Sequence, residues 1–239
     1  MTYEKIFQIA QTDKDQHGQL KPAAMLYYAQ EVAGFHATEL GAGWDALQEK
    51  GLFWAVIRTR AEVYAQPKKD QIIVKTWPMP TTRTAYPRCV MGYDEDGTLL
   101  FKVLSLWVLM DVQTRAMVLP GKSGVGVSGV TMGNEPESPR ALPSKALEHS
   151  QKRTVGTQQL DQNGHMNNTR YMDWVIDLCD GQRTVKSFDL CYFNEGRLGD
   201  EMKLGYSLSE DDLTVDIHRE KTNVPGEKER IFAAFVTFS

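Results

Sequence analysis

Cysteine is scarce and unpatterned in this chain of 239 residues. Cys89, Cys179 and Cys191 are odd in number, far apart and form no CxxC. Neither a disulfide framework nor a zinc site has its signature here, and a reducing cytoplasm is the expected compartment. Excess charge of one sign is lacking too: 27 Lys and Arg stand against 31 Asp and Glu, a net charge of -4. That balance gives no reason to expect nucleic acid or an anionic membrane as partner, and an acidic partner would need a local basic patch. No apolar run approaches a membrane span; the longest, around Val103–Met110, contains Ser105 and reads as a buried strand. The start, MTYEKIFQIAQTDKDQ, lacks the basic opening and apolar core of a secretory signal. What is present is ordinary for a globular chain. Apolar residues make up 41% and charged residues 24%, over a length that suits one large domain or two small ones.

Strand signals dominate the first half. Tyr3–Ala10 can be a strand, and DKDQHGQLKP after it is turn-rich. Pro22 suits a first helical position, where its missing N–H would be unpaired anyway. Met25, Tyr28, Ala29 and Val32 then recur at i, i+3, i+4 and i+7, one face of a helix. GAGW breaks that helix, a short one follows over Trp44–Lys50, and Gly51 sits just past its end. FWAVIRTRAEVY (53–64), QIIVKTW (71–77) and YPRCVMGY (86–93) read as strands. The turn DEDG leads into TLLFKVLSLWVLMD, apolar on both faces and so a central strand, with VQTRAMVLP as its hairpin return. Residues 121–147 are rich in Gly, Ser and Pro and show no period. They read as a linker or surface excursion between an N-terminal domain (1–120) and a C-terminal domain (148–239). The second domain runs strand, polar turn, helix from about Asn168 to Asp180, then SFDLCYFN, EMKLGYSLSE, LTVDIHREK and ERIFAAFVTFS, with VPGEKE joining the last two.

The halves echo one another. At an offset of 146, Asp15-Gln16-His17-Gly18 falls on Asp161-Gln162-Asn163-Gly164. The helix face Met25, Tyr28, Ala29, Val32 falls on Tyr171, Trp174, Val175, Leu178 at the same offset. At an offset of 130, Asp70 before QIIV falls on Asp200 before EMKL. A shared order of elements argues for duplication. Each copy is expected to be α+β, an antiparallel sheet curved round an apolar helix. The second helix is apolar nearly all round (Tyr171, Met172, Trp174, Val175, Ile176, Leu178), as a buried helix is, with Asp173, Asp177 and Asp180 left for a rim.

The densest polar cluster is LDQNGHMNN (160–168). Gly164 and the asparagines disfavour helix before Asn167. In an extended segment the side chains of Asp161, Asn163 and His165 would project to one side. Asn167 as N-cap would aim the first free N–H groups of the helix at the same spot. Carboxylate, amide, imidazole and helix start together suit hydrolysis through an oxyanion. The bland alternative is a set of turn and cap residues, with His165 packed in the core. The first-half copy keeps Asp15 but has His17 for Asn163 and Gln19 for His165, and Glu195 falls on Ala65. One active site, in the C-terminal half, is therefore expected.

This stretch resembles the acyl-acyl carrier protein thioesterases, plant and bacterial enzymes with two fused hotdog domains. The family pattern D-x-N-x-H-x-N-N, followed by an aromatic-containing helix, is met by Asp161, Asn163, His165, Asn167 and Asn168, with Tyr171 and Trp174 beyond. A second signature, Arg-Glu-Cys-Gly, falls on FNEGRLGD on the next strand: Glu195 matches, and Gly196 stands where Cys is common. FWAVIRTRAEVY and SLWVLMDVQTR are similar to that family as well. The resemblance spans nearly the whole chain and is weakest over 121–147. It implies two tandem hotdog domains, hydrolysis of fatty acyl-acyl carrier protein to free fatty acid, an acidic carrier protein as partner, and no cofactor or metal.

With no thiol at Gly196, the chemistry implied must rest on Asp161, Asn163, His165 and Glu195; Cys191 reads as an inert core residue. Two routes stay open. Glu195 and His165 position and deprotonate water, or Asp161 attacks and gives an anhydride that water opens. The N-terminal half would wall the acyl pocket, with Met25, Tyr28, Phe53 and Trp54 as candidate substrate contacts. Lys68, Lys69, Arg83, Arg88 and Arg170 are candidate carrier-docking residues, against the plainer view that such side chains are merely solvated. The alternatives are an acyl-CoA thioesterase or a non-catalytic acyl-binding protein on the same fold. A dehydratase is disfavoured, because the second helix lacks the His such enzymes use. A homodimer stays open.

Overall fold

The structure, a computed structural model, describes residues 2–179, 183–221 and 226–239. It divides into two units, Met1–Pro139 and Arg140–Ser239. Unit 1 contains β1 (Tyr3–Gln8), α1 (Pro22–Glu39), α2 (Trp44–Gln48), β2 (Leu52–Val63), β3 (Gln71–Pro78), β4 (Tyr86–Tyr93), β5 (Leu99–Asp111) and a short β6 (Met117–Val118). The strands are antiparallel in the order β1-β3-β4-β5-β2, with β6 on β5. The doubly apolar β5 is central, as its composition requires. Helix α1 starts at Pro22 and buries Met25, Tyr28, Ala29 and Val32, the face read from the sequence. Each large side chain so buried stabilises by roughly 1.5–3 kcal/mol. Tyr28 keeps its hydroxyl satisfied by donating to Asp13 at 2.6 Å.

Unit 2 contains β7 (His149–Thr154), α3 (Arg170–Ile176), β8 (Val185–Tyr192), β9 (Glu201–Leu208), β10 (Asp212–Glu220) and β11 (Lys228–Phe238). Its order is β7-β9-β10-β11-β8, the same permutation as in unit 1. The duplication extends to single hydrogen bonds. Ile9 N donates to Asp70 O at 2.9 Å and Val155 N to Asp200 O at 3.1 Å; Lys21 N donates to Asp13 O at 2.9 Å and Asn167 N to Gln159 O at 2.8 Å. These pairs keep the offsets of 146 and 130 seen in the sequence. Tyr171 of α3 stacks on Phe232 of β11, with centroids 4.8 Å apart, so each unit sets an apolar helix against an antiparallel sheet.

One expected element changes its bounds. Helix α3 has seven residues, Arg170–Ile176, because Asn167 and Thr169 form a turn before it. Asp180 and part of VPGEKE lie outside the described residues. Residues 121–147, expected as a linker or surface excursion, are mostly exposed and almost without regular structure, but are tied down at several points. In unit 1, Val125 packs in a buried cluster with Leu47, Tyr86 and Leu109, and Val130 N donates to Pro78 O at 3.0 Å. In unit 2, Arg140 N donates to Asp189 Oδ1 at 3.0 Å and Arg230 Nη1 to Leu142 O at 2.8 Å. The segment lacks a period because its backbone groups are satisfied one at a time rather than by a ladder. Among the described residues no helix is long and apolar enough to cross a membrane.

Candidate active site

The polar cluster opens with a tight turn rather than an extended segment. Asp161 N donates to His165 O at 2.8 Å, and Gly164 takes φ 75°, a left-handed conformation that glycine adopts without strain. Oδ1 of Asp161 accepts the backbone N–H groups of Asn163 at 2.8 Å and His165 at 3.2 Å. The expected convergence of 161, 163 and 165 by strand alternation therefore fails. Asp161 folds its carboxylate onto its own turn, and Asn163 sits exposed at the tip. Asp15 builds the same turn in unit 1, accepting from His17 N at 2.8 Å and Gln19 N at 2.9 Å, with Gly18 also at φ 75°. Asn167 is not the N-cap. Its Oδ1 accepts from both N and Oγ1 of Thr169 at 2.9 Å, and the helix begins after Thr169.

From this turn His165 enters an antiparallel bridge with Arg197, and Met166 N donates to Gly196 O at 2.8 Å. Glu195 thereby comes beside the imidazole, with His165 Nε2 and Glu195 Oε2 3.2 Å apart. Their side chains are 24% and 33% exposed, so both can meet a substrate. Glu195 lies in the loop after β8, not on the strand as expected. Arg219 of β10 holds that loop. Its Nη1 donates to Glu195 O at 2.9 Å, and it pairs with Asp200 and with Glu229, the latter at 2.7 Å. Burial works against the charge on Arg219, but hydrogen bonds to Glu229 and Asp200 outweigh it and hold its pKa above the usual arginine value. Sequence reasoning missed Arg219. The available signal was alternation: Leu213, Val215 and Ile217 are fully buried, and Arg219 is next on that face of β10.

Gly196 fits its place tightly. A Cβ there would stand 2.6 Å from Met202 Cε and 2.7 Å from the Tyr171 hydroxyl. Tyr171 is 2% exposed, and its hydroxyl has no hydrogen-bond partner among the described residues. Burial pushes that phenol well above its ordinary pKa.

The remaining candidates scatter. Met25 and Tyr28 lie buried on α1. Phe53 and Trp54 are consecutive on β2 and so face opposite ways; Phe53 lies under the Arg115 guanidinium, and Trp54 Nε1 donates to Ala42 O at 2.8 Å. Arg83 is exposed, Arg170 pairs with Asp173 at 3.2 Å, Lys68 with Asp96 at 2.6 Å, and Lys69 with Glu95. Arg88, expected as a docking residue, is buried inside unit 1 and so is placed away from a docking surface. No cluster of metal ligands occurs among the described residues.

Residues 1–119 match the family model of the acyl-ACP thioesterase N-terminal domain, and residues 144–233 that of the acyl-ACP thioesterase C-terminal domain. The chain is 27% identical over 169 residues to the chloroplastic palmitoyl-acyl carrier protein thioesterase of Gossypium hirsutum, covering 64% of this chain and 41% of that protein. It is 26% identical over 170 residues to the chloroplastic dodecanoyl-[acyl-carrier-protein] hydrolase of Cinnamomum camphora, covering 64% and 44%. The chain thus spans under half the length of these relatives. The crystal structure of an acyl-ACP thioesterase from Bacteroides thetaiotaomicron superimposes with a TM-score of 0.82 at 22% identity, covering 100% of this chain and 98% of that one. That likeness shows the fold, a double hotdog. With both domains matched in order along it, this chain belongs to the acyl-ACP thioesterase family.

Proposed function

We propose that the protein hydrolyses the thioester of fatty acyl-acyl carrier protein, releasing free fatty acid and ending chain elongation. The observation that carries this reading is the His165–Glu195 pair at 3.2 Å. In neutral His165, Nε2–H donates to Glu195 and Nδ1 is left as the base. Water gives its proton to Nδ1 as its oxygen attacks the thioester carbon; the C–S bond then breaks and the leaving thiolate takes that proton from His165. Glu195 fixes the ring and favours the transient imidazolium, as an orienting carboxylate does. Asn163, at the tip of the turn, supplies a supporting amide toward the carbonyl.

The water route is preferred over attack by Asp161. Oδ1 of Asp161 holds two backbone N–H groups, and Asp15 makes the same bonds in a unit with Gln19 and Ala65 in place of the pair. The names of the curated relatives favour carrier-bound over CoA-bound substrates. Arg83 and Arg170, with Lys68 and Lys69 in support, are the basic groups proposed to meet an acidic carrier. Three cysteines, odd in number, scattered and without a CxxC, support a reducing cytoplasm as the compartment.

Single-turnover hydrolysis in heavy-oxygen water, on matched acyl-carrier and acyl-CoA substrates, tests this reading. Label is expected in the fatty acid alone, with faster turnover of the carrier substrate and salt sensitivity confined to it. Label in the Asp161 side chain would require the covalent route. Near-normal turnover in both His165→Ala and Glu195→Gln would remove the site.

A further inference from the structure

Strand β4 lies between β3 and β5, so its side chains have no sheet edge to escape to. Arg88 sits in this strand among Pro87, Cys89 and Val90, all buried, and is itself 9% exposed. Its Nη1 donates to His36 Nδ1 on α1 at 3.1 Å and to Thr76 Oγ1 on β3 at 3.3 Å. Both acceptors are neutral. His36 is 2% exposed, and burial, followed by the charge of Arg88, lowers its pKa to about 4.

No carboxylate pairs with Arg88 among the described residues. The other sheltered arginines differ: Arg60 pairs with Glu62 and Glu137, Arg219 with Asp200 and Glu229, and Arg230 with Asp216. Of the donors on Arg88, Nη1 is committed. The Nε–Nη2 edge, whose parallel N–H groups match the two oxygens of a carboxylate, has no acceptor among the described residues. Burial alone pulls the Arg88 pKa down to about 10. Neither Nε nor Nη2 is among the buried atoms left without a partner, so this edge of a largely buried guanidinium reaches solvent, where an arriving carboxylate would give the charge the counter-ion it lacks.

We propose that the Nε–Nη2 edge of Arg88 is an anion-binding site within unit 1 that takes one carboxylate. The two oxygens of the ligand lie in the guanidinium plane, while His36 and Thr76 hold Nη1 and fix the fork. The source is either a small carboxylate solute or the head group of a longer acid. This site is independent of the hydrolysis proposed above and stands or falls separately.

Thermal melts of the full chain, in buffer free of carboxylate and phosphate, test it with acetate and octanoate as probes on wild type, Arg88→Met and Arg88→Lys. Acetate should raise the wild-type melting temperature with the logarithm of its concentration above the dissociation constant, by about 5 °C at a hundredfold excess. Arg88→Met should melt above wild type without anion, since the uncompensated charge is gone, and should ignore acetate. Arg88→Lys keeps the charge but loses the fork, so its acetate affinity should fall about tenfold. Arg88-dependent binding of octanoate tighter than acetate identifies the head group of a longer acid; equal binding identifies a small solute. No acetate response in wild type, or an equal one in Arg88→Met, overturns the site. Should Arg88→Met not fold, equal responses of wild type and Arg88→Lys overturn it.

Discussion

Replacing Gly196 by cysteine, the residue common at this place in the family resemblance, should harm this chain rather than arm it. The new Cβ would lie 2.6 Å from Met202 Cε, 2.7 Å from the Tyr171 hydroxyl and 3.2 Å from Met166 Cβ. Met202 is fully buried and Tyr171 is pinned by its stack on Phe232, so neither end swings away freely. Overpacking of this kind costs about 1–3 kcal/mol, a loss of roughly 4–24 °C in melting temperature for a unit of this size. Because the clash begins at Cβ, Gly196→Ala should lose nearly as much as Gly196→Cys. The strain falls beside Glu195, so turnover should drop with stability as the 3.2 Å contact to His165 loosens. Paired melts and steady-state assays of both variants, alone and combined with Tyr171→Phe, provide the check. Tyr171→Phe removes the 2.7 Å contact and an orphaned buried hydroxyl, so alone it should be neutral or slightly stabilising and should rescue part of the Gly196→Ala loss. A Gly196→Cys chain as stable as wild type, and at least as active, would refute the steric reasoning.

Asp161→Asn keeps an oxygen for the two backbone N–H groups and should fold and turn over, whereas Asp161→Ala should lose about 1–2 kcal/mol; an Asp161→Asn defect as complete as that of His165→Ala would restore a chemical role for the carboxylate. Arg219→Gln breaks the bonds to Glu195 O, Asp200 and Glu229, and should lower kcat with little change in KM while costing about 1–3 kcal/mol by denaturant melts; unchanged kcat would deny it a positioning role. Acidification should also destabilise unit 1 through His36. Its folded pKa of about 4 lies below the ordinary 6.5, so the unfolded chain binds more protons between those values. Its contribution is full above pH 6.5 and fades as pH falls toward 4, by about 3 kcal/mol at most. His36→Gln should flatten that part of the stability-pH curve, and an unchanged slope would count against the buried neutral imidazole.

Much of the architecture was legible because burial imposes periods. Strand β4 spans Tyr86–Tyr93 as read, and α1 begins at Pro22 with its apolar face as read. The duplication was legible because two offsets carried both composition and order. His165 and Glu195 were both candidates from the sequence, and the structure brings them 3.2 Å apart, but the convergence of Asp161, Asn163 and His165 expected from strand alternation did not occur. Strand alternation cannot see that a short carboxylate will bond the backbone two and four residues on, which turned an imagined row of side chains into a closed turn. Arg88 was misplaced for a related reason: an arginine near a strand end looks solvated until the helix crossing that strand is known. The contacts that tie down residues 121–147 were not legible because irregular backbone can be held at a few points without leaving any repeat in the sequence.

The paired turns at Asp15 and Asp161 give the molecule an internal control. The same carboxylate closes the same loop twice, once beside the His165–Glu195 pair and once with Gln19 and Ala65 at the corresponding positions. Any substitution at position 161 therefore has a matched blank at position 15. The stability lost at position 15 measures what closing the turn contributes, so a turnover loss at 161 that the same change at 15 does not produce is owed to the reaction, a separation that single-copy enzymes do not permit.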